Sequence, residues 1–176
     1  MSNLTSRRDD FRYKVALEAF EIIEQEIRPF LAEGGQLWTK GSRGYPTRMR
    51  KLLEKLDVDS PVSYATEDAL LLPVKERIVE HVLPMKRIVI EIIDPGQADP
   101  RSNTSKLPIS VGPATSPKQL IEIFDSLLEK CWVTKEQHDR LNGAAKSMQW
   151  DAPNGNGWVR YELANVIAYP LESCDK

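Results

Sequence analysis

The sequence predicts a predominantly helical α+β fold: a single domain over residues 1–176 with a long N-terminal helix, a C-terminal αα-hairpin and a small β element at most. Three observations lead there. Apolar residues recur three or four apart toward both ends of the chain, which is helical spacing. Strand-favouring patterns are confined to 74–94 and 158–170. The 176 residues, 41% hydrophobic and 28% charged, sit near the globular average, and a chain of this length buries enough surface to need no disulfide or metal.

The first element is an amphipathic helix over 6–33. Phe11, Val15, Ala19, Ile22, Ile23, Ile27, Phe30 and Leu31 form its apolar side among Glu18, Glu21, Glu24 and Glu26. Ser6 is the expected N-cap and Gly34-Gly35 the stop, with Pro29 ending or kinking the helix about one turn earlier. After it, Thr47 is placed to cap a short helix through Arg48, Leu52, Leu53 and Leu56. Thr66-Glu67-Asp68 reads as another helix start.

Between 74 and 94 two signals compete. The β-branched residues favour strand, yet Met85, Ile88, Val89, Ile92 and Ile93 repeat at helical intervals, with Ile90 the violation. Pro84 suits a first helical turn and cannot sit in a central strand. A helix is therefore expected after Pro84 and extended chain over 77–82. The 94–113 segment holds Pro95, Pro100, Pro108 and Pro113 and reads as a long exposed loop, a candidate lid or interaction segment.

Ser116-Pro117 pairs an N-cap with proline at the first helical position, and Leu120, Ile121, Phe124, Leu127, Leu128 and Cys131 make an apolar stripe. Thr134 to Gln137 fits a capping box, and Leu141, Ala144, Ala145 and Met148 continue a second helix. With Trp132-Val133 as the turn, the two form the hairpin. Trp158 to Pro170 fits a strand pair or a short helix equally well.

Charge and termini exclude several classes. Twenty-four basic against 26 acidic residues leave a net charge of −2. The N-terminal segment lacks the apolar stretch of a secretory signal, and no run approaches a spanning helix, so a cytoplasmic protein without membrane contact is expected. Cys131 is expected to pack in the core and Cys174 to be an incidental thiol.

Chemistry concentrates in three places. The first is Glu80-His81-Val82-Leu83-Pro84. A neutral imidazole can accept a proton near pH 7, and a carboxylate is the hard oxygen ligand Mg²⁺ prefers. This pentapeptide resembles the opening motif of the HNH, or ββα-metal, nucleases, in which an acidic residue and a histidine precede an apolar residue and a proline. The resemblance implies His81 as general base, Glu80 as ligand to a divalent metal (Mg²⁺ or Mn²⁺), and a downstream Asn and final His at the spacing of a hairpin plus a helix. Here Asn103 lies 22 residues on, and the second histidine, His138, lies 57 residues on. His138, or else Asp94, is the candidate second metal ligand should the fold bring it to Glu80.

The second place runs from Gly34 to Leu53, which lacks any acidic residue. Lys40, Arg43, Arg48, Arg50 and Lys51 offer phosphate contacts, and Trp38 and Tyr45 offer stacking faces, the combination of a single-stranded nucleic-acid surface. The same cations also fit a solvated loop and helix face. The third is the 120–148 pair read as a helix-turn-helix, presenting Lys135, Gln137, His138, Arg140, Asn142 and Lys146 to bases, or simply as a packing unit. The sequence thus points to a nucleic-acid-associated protein, a metal-dependent HNH-like nuclease in its most specific form. The alternative is a noncatalytic protein-protein interaction module, a small regulator or inhibitor of a larger assembly.

Overall fold

The computed structural model describes residues 2–37, 41–57, 60–97, 113–143 and 157–171, the side chains of 2–6 and 97 excepted. Its elements run α1 (Ser2–Ile22), a π-helical turn (Ile23–Ile27), α2 (Arg28–Ala32), α3 (Tyr45–Leu53), β1 (Tyr64–Ala65), α4 (Glu67–Leu70), β2 (Ile78–His81), α5 (Met85–Ile93), α6 (Pro117–Leu127), β3 (Lys130–Val133), α7 (Lys135–Gly143), α8 (Val159–Leu163) and β4 (Tyr169–Pro170). The predominantly helical α+β class expected from the sequence is the class found. No helix among the described residues is long and apolar enough to cross a membrane. The described residues gather into two compact units, those up to 57 with 85–97 and 113–127, and 60–84 with 128–143 and 157–171.

The first unit is helical. α1 starts before Ser6, so Ser6 lies inside the helix rather than capping it. Pro29 neither ends nor sharply breaks the run. The π turn immediately before it widens the backbone where the proline ring would meet the preceding turn, and the helix continues to Ala32. Gly34 at φ +86° then closes the end, its N–H donating to Leu31 O at 2.9 Å and Gly35 N–H to Phe30 O at 2.9 Å. α3 begins at Tyr45, two residues ahead of Thr47, because Pro46 suits the first turn and Gly44, left-handed at φ 73°, leads into it.

α1 packs on α6 and α3, and α5 packs on α3 and α6. Val15, Ala16, Ala19, Met49, Leu53, Ile88, Ile92 and Phe124 fill the space between them. An ion pair from Arg12 to Asp125 ties α1 to α6 at the rim. Inside the core lies a charged pair on one helix: Arg87 and Glu91 are 1% and 2% exposed, with Nη2 and Oε1 2.5 Å apart.

The second unit holds a four-stranded sheet in the order β2-β3-β1-β4. β1 runs parallel to β3 and antiparallel to β4, while β2 is antiparallel to β3 with Glu80 opposite Cys131. Extended chain over 78–81 followed by a helix after Pro84 is as expected. The αα-hairpin is not what forms: residues 130–133, expected as the end of one helix and a turn, are strand β3, so α6 and α7 are separated by a sheet element and make no helix-turn-helix. Cys131, Trp132 and Val133 favour an extended, half-buried surface, and pairing on both sides overrides the helical stripe that includes Cys131.

Both ambiguous features of 158–170 occur in part, as the short helix α8 and the two-residue strand β4. Val82, Cys131, Val133, Leu141, Tyr161, Ala164 and Val166 form this unit's core. Trp158 rings lie against Tyr64 and Tyr161, with centroids 4.6 and 5.0 Å away. Gly157 permits close approach here, since a Cβ would stand 2.6 Å from Val82 O. Of the 94–113 loop, residues 98–112 lie outside the described residues, as do Ala144, Ala145, Met148 and Cys174.

Candidate functional site

The arrangement begins with strand alternation. Val82 N–H donates to Glu129 O at 2.9 Å and Glu80 stands opposite Cys131, so Ile78, Glu80 and Val82 share the face that carries Cys131 and Val133. That face packs under α7 and α8. Glu80, 9% exposed, is thus a carboxylate placed at the margin of an apolar core, and it needs partners. His81, the next residue, projects from the opposite face.

α7 supplies the first partner. Its start is fixed by the capping box the sequence predicts: Gln137 N–H donates to Thr134 Oγ1 at 3.2 Å, and Thr134 N–H donates back to Gln137 Oε1 at 2.9 Å. With the helix so started and Leu141 turned into the core, His138 faces β2, and its Nδ1 meets Glu80 Oε1 directly. The Asn142 amide, one turn on, lies 3.0 Å from His138 Nε2. α8 supplies the second partner. Trp158 and Tyr161 seat it on the core, and Arg160 between them donates from Nη2 to Glu80 Oε2 at 2.9 Å and to His81 O at 3.0 Å. The second bond caps a carbonyl on the free edge of β2.

The chemical character follows from these contacts. Glu80 accepts from Nδ1–H, which fixes the imidazole's orientation and turns Nε2 toward the Asn142 amide. The Arg160 side chain, 5% exposed, neutralises the carboxylate. Nearby, burial pushes the Cys131 thiol up to about 12; the neighbouring Tyr161 hydroxyl only partly opposes this, and the Glu80 charge adds to it. Burial, reinforced by Cys131, also pushes the Tyr161 phenol upward. Neither group is set up as a nucleophile at neutral pH.

The structure therefore joins Glu80 to His138, as the metal reading requires, and leaves His81 on the other side of the strand. The donors present do not suit a divalent cation. Both Glu80 oxygens are engaged, one by an imidazole and the other by a guanidinium, and among the described residues no group of three or more His, Cys, Asp or Glu side chains could hold a metal. Mg²⁺ prefers six oxygen ligands and would enter beside a fixed positive charge.

The basic stretch is used largely for internal contacts. The Tyr45 side chain is 7% exposed and packs on Phe30, with ring centroids 5.5 Å apart, so it presents no stacking face. Arg43 lies over the same Phe30 ring at 5.1 Å. Arg48 grips Glu26 with bonds of 2.8 and 2.7 Å, and Arg50 reaches Glu54 at 2.6 Å. Lys51 is exposed on α3, and Trp38 and Lys40 lie outside the described residues.

Sequence reasoning about the motif missed Arg160. Its available signal was a lone cation between Val159 and Tyr161, where an otherwise apolar run turns inward. Compared with protein-family models, curated proteins and solved structures, the chain matches none.

Proposed function

We propose that the chain is a nucleic-acid-associated protein that works through its second unit, with His138 rather than His81 as the active imidazole. One observation carries this reading. β2, β3 and α7 make a strand-strand-helix element in which the acidic residue of the Glu80-His81 pair meets a histidine of the helix, and that histidine in turn faces an asparagine one turn on. That is the hairpin-plus-helix order the HNH resemblance implies, assembled here from segments distant in the chain.

In this reading His138 Nε2, released from Asn142, takes a proton from water as the water oxygen bonds to phosphorus and the bond from phosphorus to the departing sugar oxygen breaks; the imidazolium, stabilised by Glu80, then gives the proton to that leaving oxygen. No step runs through a metal, because the donor set does not suit one. The test is incubation with plasmid, single-stranded DNA and RNA, in Mg²⁺ or Mn²⁺ and in chelator. Cleavage lost in His138→Ala and kept in His81→Ala is the expected outcome. Cleavage that survives His138→Ala, or no retention on nucleic acid even at low salt, overturns the reading.

A separate observation favours the second reading, a noncatalytic interaction module. Leu71 and Val74 are 84% and 65% exposed on the connection that leads to Val79, itself exposed beside Trp132 on the outer face of the sheet. Recovery of one stoichiometric protein partner, lost in Leu71→Ser/Val74→Ser, would support it.

A further inference from the structure

The second unit contains a cleft of about 210 Å³ that the Glu80 cluster does not use. It is smaller than the roughly 300–1,000 Å³ typical of drug-sized ligand sites and suits a single planar ring system. Its walls differ in chemistry. It is lined by Glu67 and Asp68 at the start of α4, both exposed, by Arg140 of α7, and by the apolar Ile167 and the aromatic Tyr169, the latter 40% exposed.

The lining also includes Gln137, which is buried and whose Oε1 is fully used. Its Oε1 accepts from Thr66 Oγ1 at 2.8 Å as well as from Thr134 N, and its Nε2 donates to Asp68 Oδ2 at 2.9 Å. Gln137 therefore keeps one Nε2 N–H beyond these bonds, and it holds Asp68 in place. Asp68 keeps Oδ1 for another donor. Arg140 is under-used: Nη1 makes one long bond of 3.4 Å to Asn165 O, and Nε is shielded from solvent without a hydrogen-bond partner. Asn165 holds a left-handed backbone at φ 51°, which turns that carbonyl toward Arg140.

We infer that this cleft binds one unstacked guanine nucleotide, the base lying on Tyr169, its Watson–Crick edge against Asp68 and Glu67, and its phosphate on Arg140. The inference rests on the nucleic-acid reading and names the base it selects. Carboxylates only accept hydrogen bonds, and guanine alone presents two adjacent donors, N1–H and N2–H, to such a wall. Adenine and cytosine each place an acceptor beside their amino group, and uracil flanks its single N–H with carbonyls. Each of those would set a lone pair against a carboxylate. Single-stranded nucleic acids are read in this way, by stacking an extruded base on an aromatic ring and pairing its edge.

The test measures binding of the full chain to the four nucleoside 5′-monophosphates by calorimetry or NMR titration. GMP should bind about tenfold more tightly than the other three, the worth of one good bidentate pair. Asp68→Asn keeps an acceptor for Gln137 but presents a donor to the base. It should abolish the GMP preference while leaving the melting temperature near that of the parent chain. Arg140→Gln should weaken all four nucleotides alike without changing their order, which a folding defect confined to Asp68→Asn would not produce.

Equal binding of the four nucleotides, or an unchanged preference in Asp68→Asn, overturns the inference. Retention on homopolymer oligonucleotides at low salt separates the two failures. If uridine and guanosine homopolymers bind equally, the base-selective cleft falls while the nucleic-acid reading stands, and if neither binds, both fall.

Discussion

Glu80 on β2 and His138 on α7 lie 58 residues apart in the chain and share a direct carboxylate–imidazole contact, while Arg160 of α8 holds the other carboxylate oxygen at 2.9 Å. One acidic side chain thus ties a strand and two helices together. The chain leaves the second unit and returns to it between these residues, so a short motif matched along the sequence cannot see the meeting.

The first prediction concerns the Glu80–Arg160 pair. Removing one member of a buried ion pair leaves the other charge without compensation, so Arg160→Ala should cost on the order of 3 kcal/mol in urea-induced unfolding. His138→Ala removes a half-buried partner of the same carboxylate and should cost about 1 kcal/mol. The double variant Glu80→Leu/Arg160→Met should recover much of the loss. A double variant less stable than the sum of the single changes would show that the pair does not act as a unit.

Local signals carried far in this chain, and non-local ones did not. Ser116 caps α6, accepting from Gln119 N–H at 3.2 Å, Thr66 caps α4, and both arms of the Thr134–Gln137 box form. Each of these needs only residues three positions apart. The helix after Pro84 was legible for the same reason. β3 was not, because its helical stripe ending at Cys131 is broken by pairing with β1 and β2 from other parts of the chain. At the candidate site, Glu80 and His138 were legible as chemistry. Arg160, which decides against a cation at that carboxylate, was hidden because its role depends on how α8 seats under the sheet.

The capping box gives a second prediction. Thr134→Ala removes one arm and should cost about 1 kcal/mol, the usual worth of an N-cap. Gln137→Ala should cost more, about 2 kcal/mol, because it also deprives the buried Thr66 hydroxyl of its acceptor and removes the bond to Asp68. Equal losses for the two substitutions in thermal or urea melts would mean that the bonds to Thr66 and Asp68 contribute nothing beyond the cap.

The buried pair on α5 predicts a pH dependence. Burial pushes the Glu91 carboxyl above its ordinary value of 4.5; the Arg87 guanidinium pulls it down only in part, and Asp94 pushes it further up. A raised acid binds its proton more tightly in the folded chain than in the unfolded one. Its stabilising contribution is complete below 4.5 and is lost as pH rises through the higher folded value. Glu91→Gln mimics the protonated form at every pH. The variant should match the parent chain at low pH and gain on it as pH rises from 4.5 toward neutrality. A variant that instead falls progressively behind over that range would mean that attraction to Arg87 outweighs burial.

Cys131 supplies a test of its surroundings. With its thiol pushed up to about 12 by burial, it carries almost no thiolate at neutral pH and is closed to solvent. A thiol reagent should therefore modify Cys131 in the native chain only at the rate of unfolding, and promptly in denaturant. Rapid modification of the Cys174→Ser variant, which leaves Cys131 as its one thiol, would contradict the packing under α8.

The last prediction tests whether α3 contributes to nucleic-acid binding. Arg48 is half-exposed, but both Glu26 oxygens hold its guanidinium, so its charge is spent on a neighbour. Glu26→Gln removes the competing carboxylate. Because an exposed pair of this kind is worth at most about 1 kcal/mol, the substitution should barely move the melting temperature. If α3 touches phosphate, freeing Arg48 should tighten binding to single-stranded oligonucleotides and steepen the dependence of log affinity on log salt by about one unit, the signature of one more phosphate contact. Arg48→Ala should then bind no more tightly than the parent chain. An affinity and salt slope unchanged in Glu26→Gln would remove α3 from the interface.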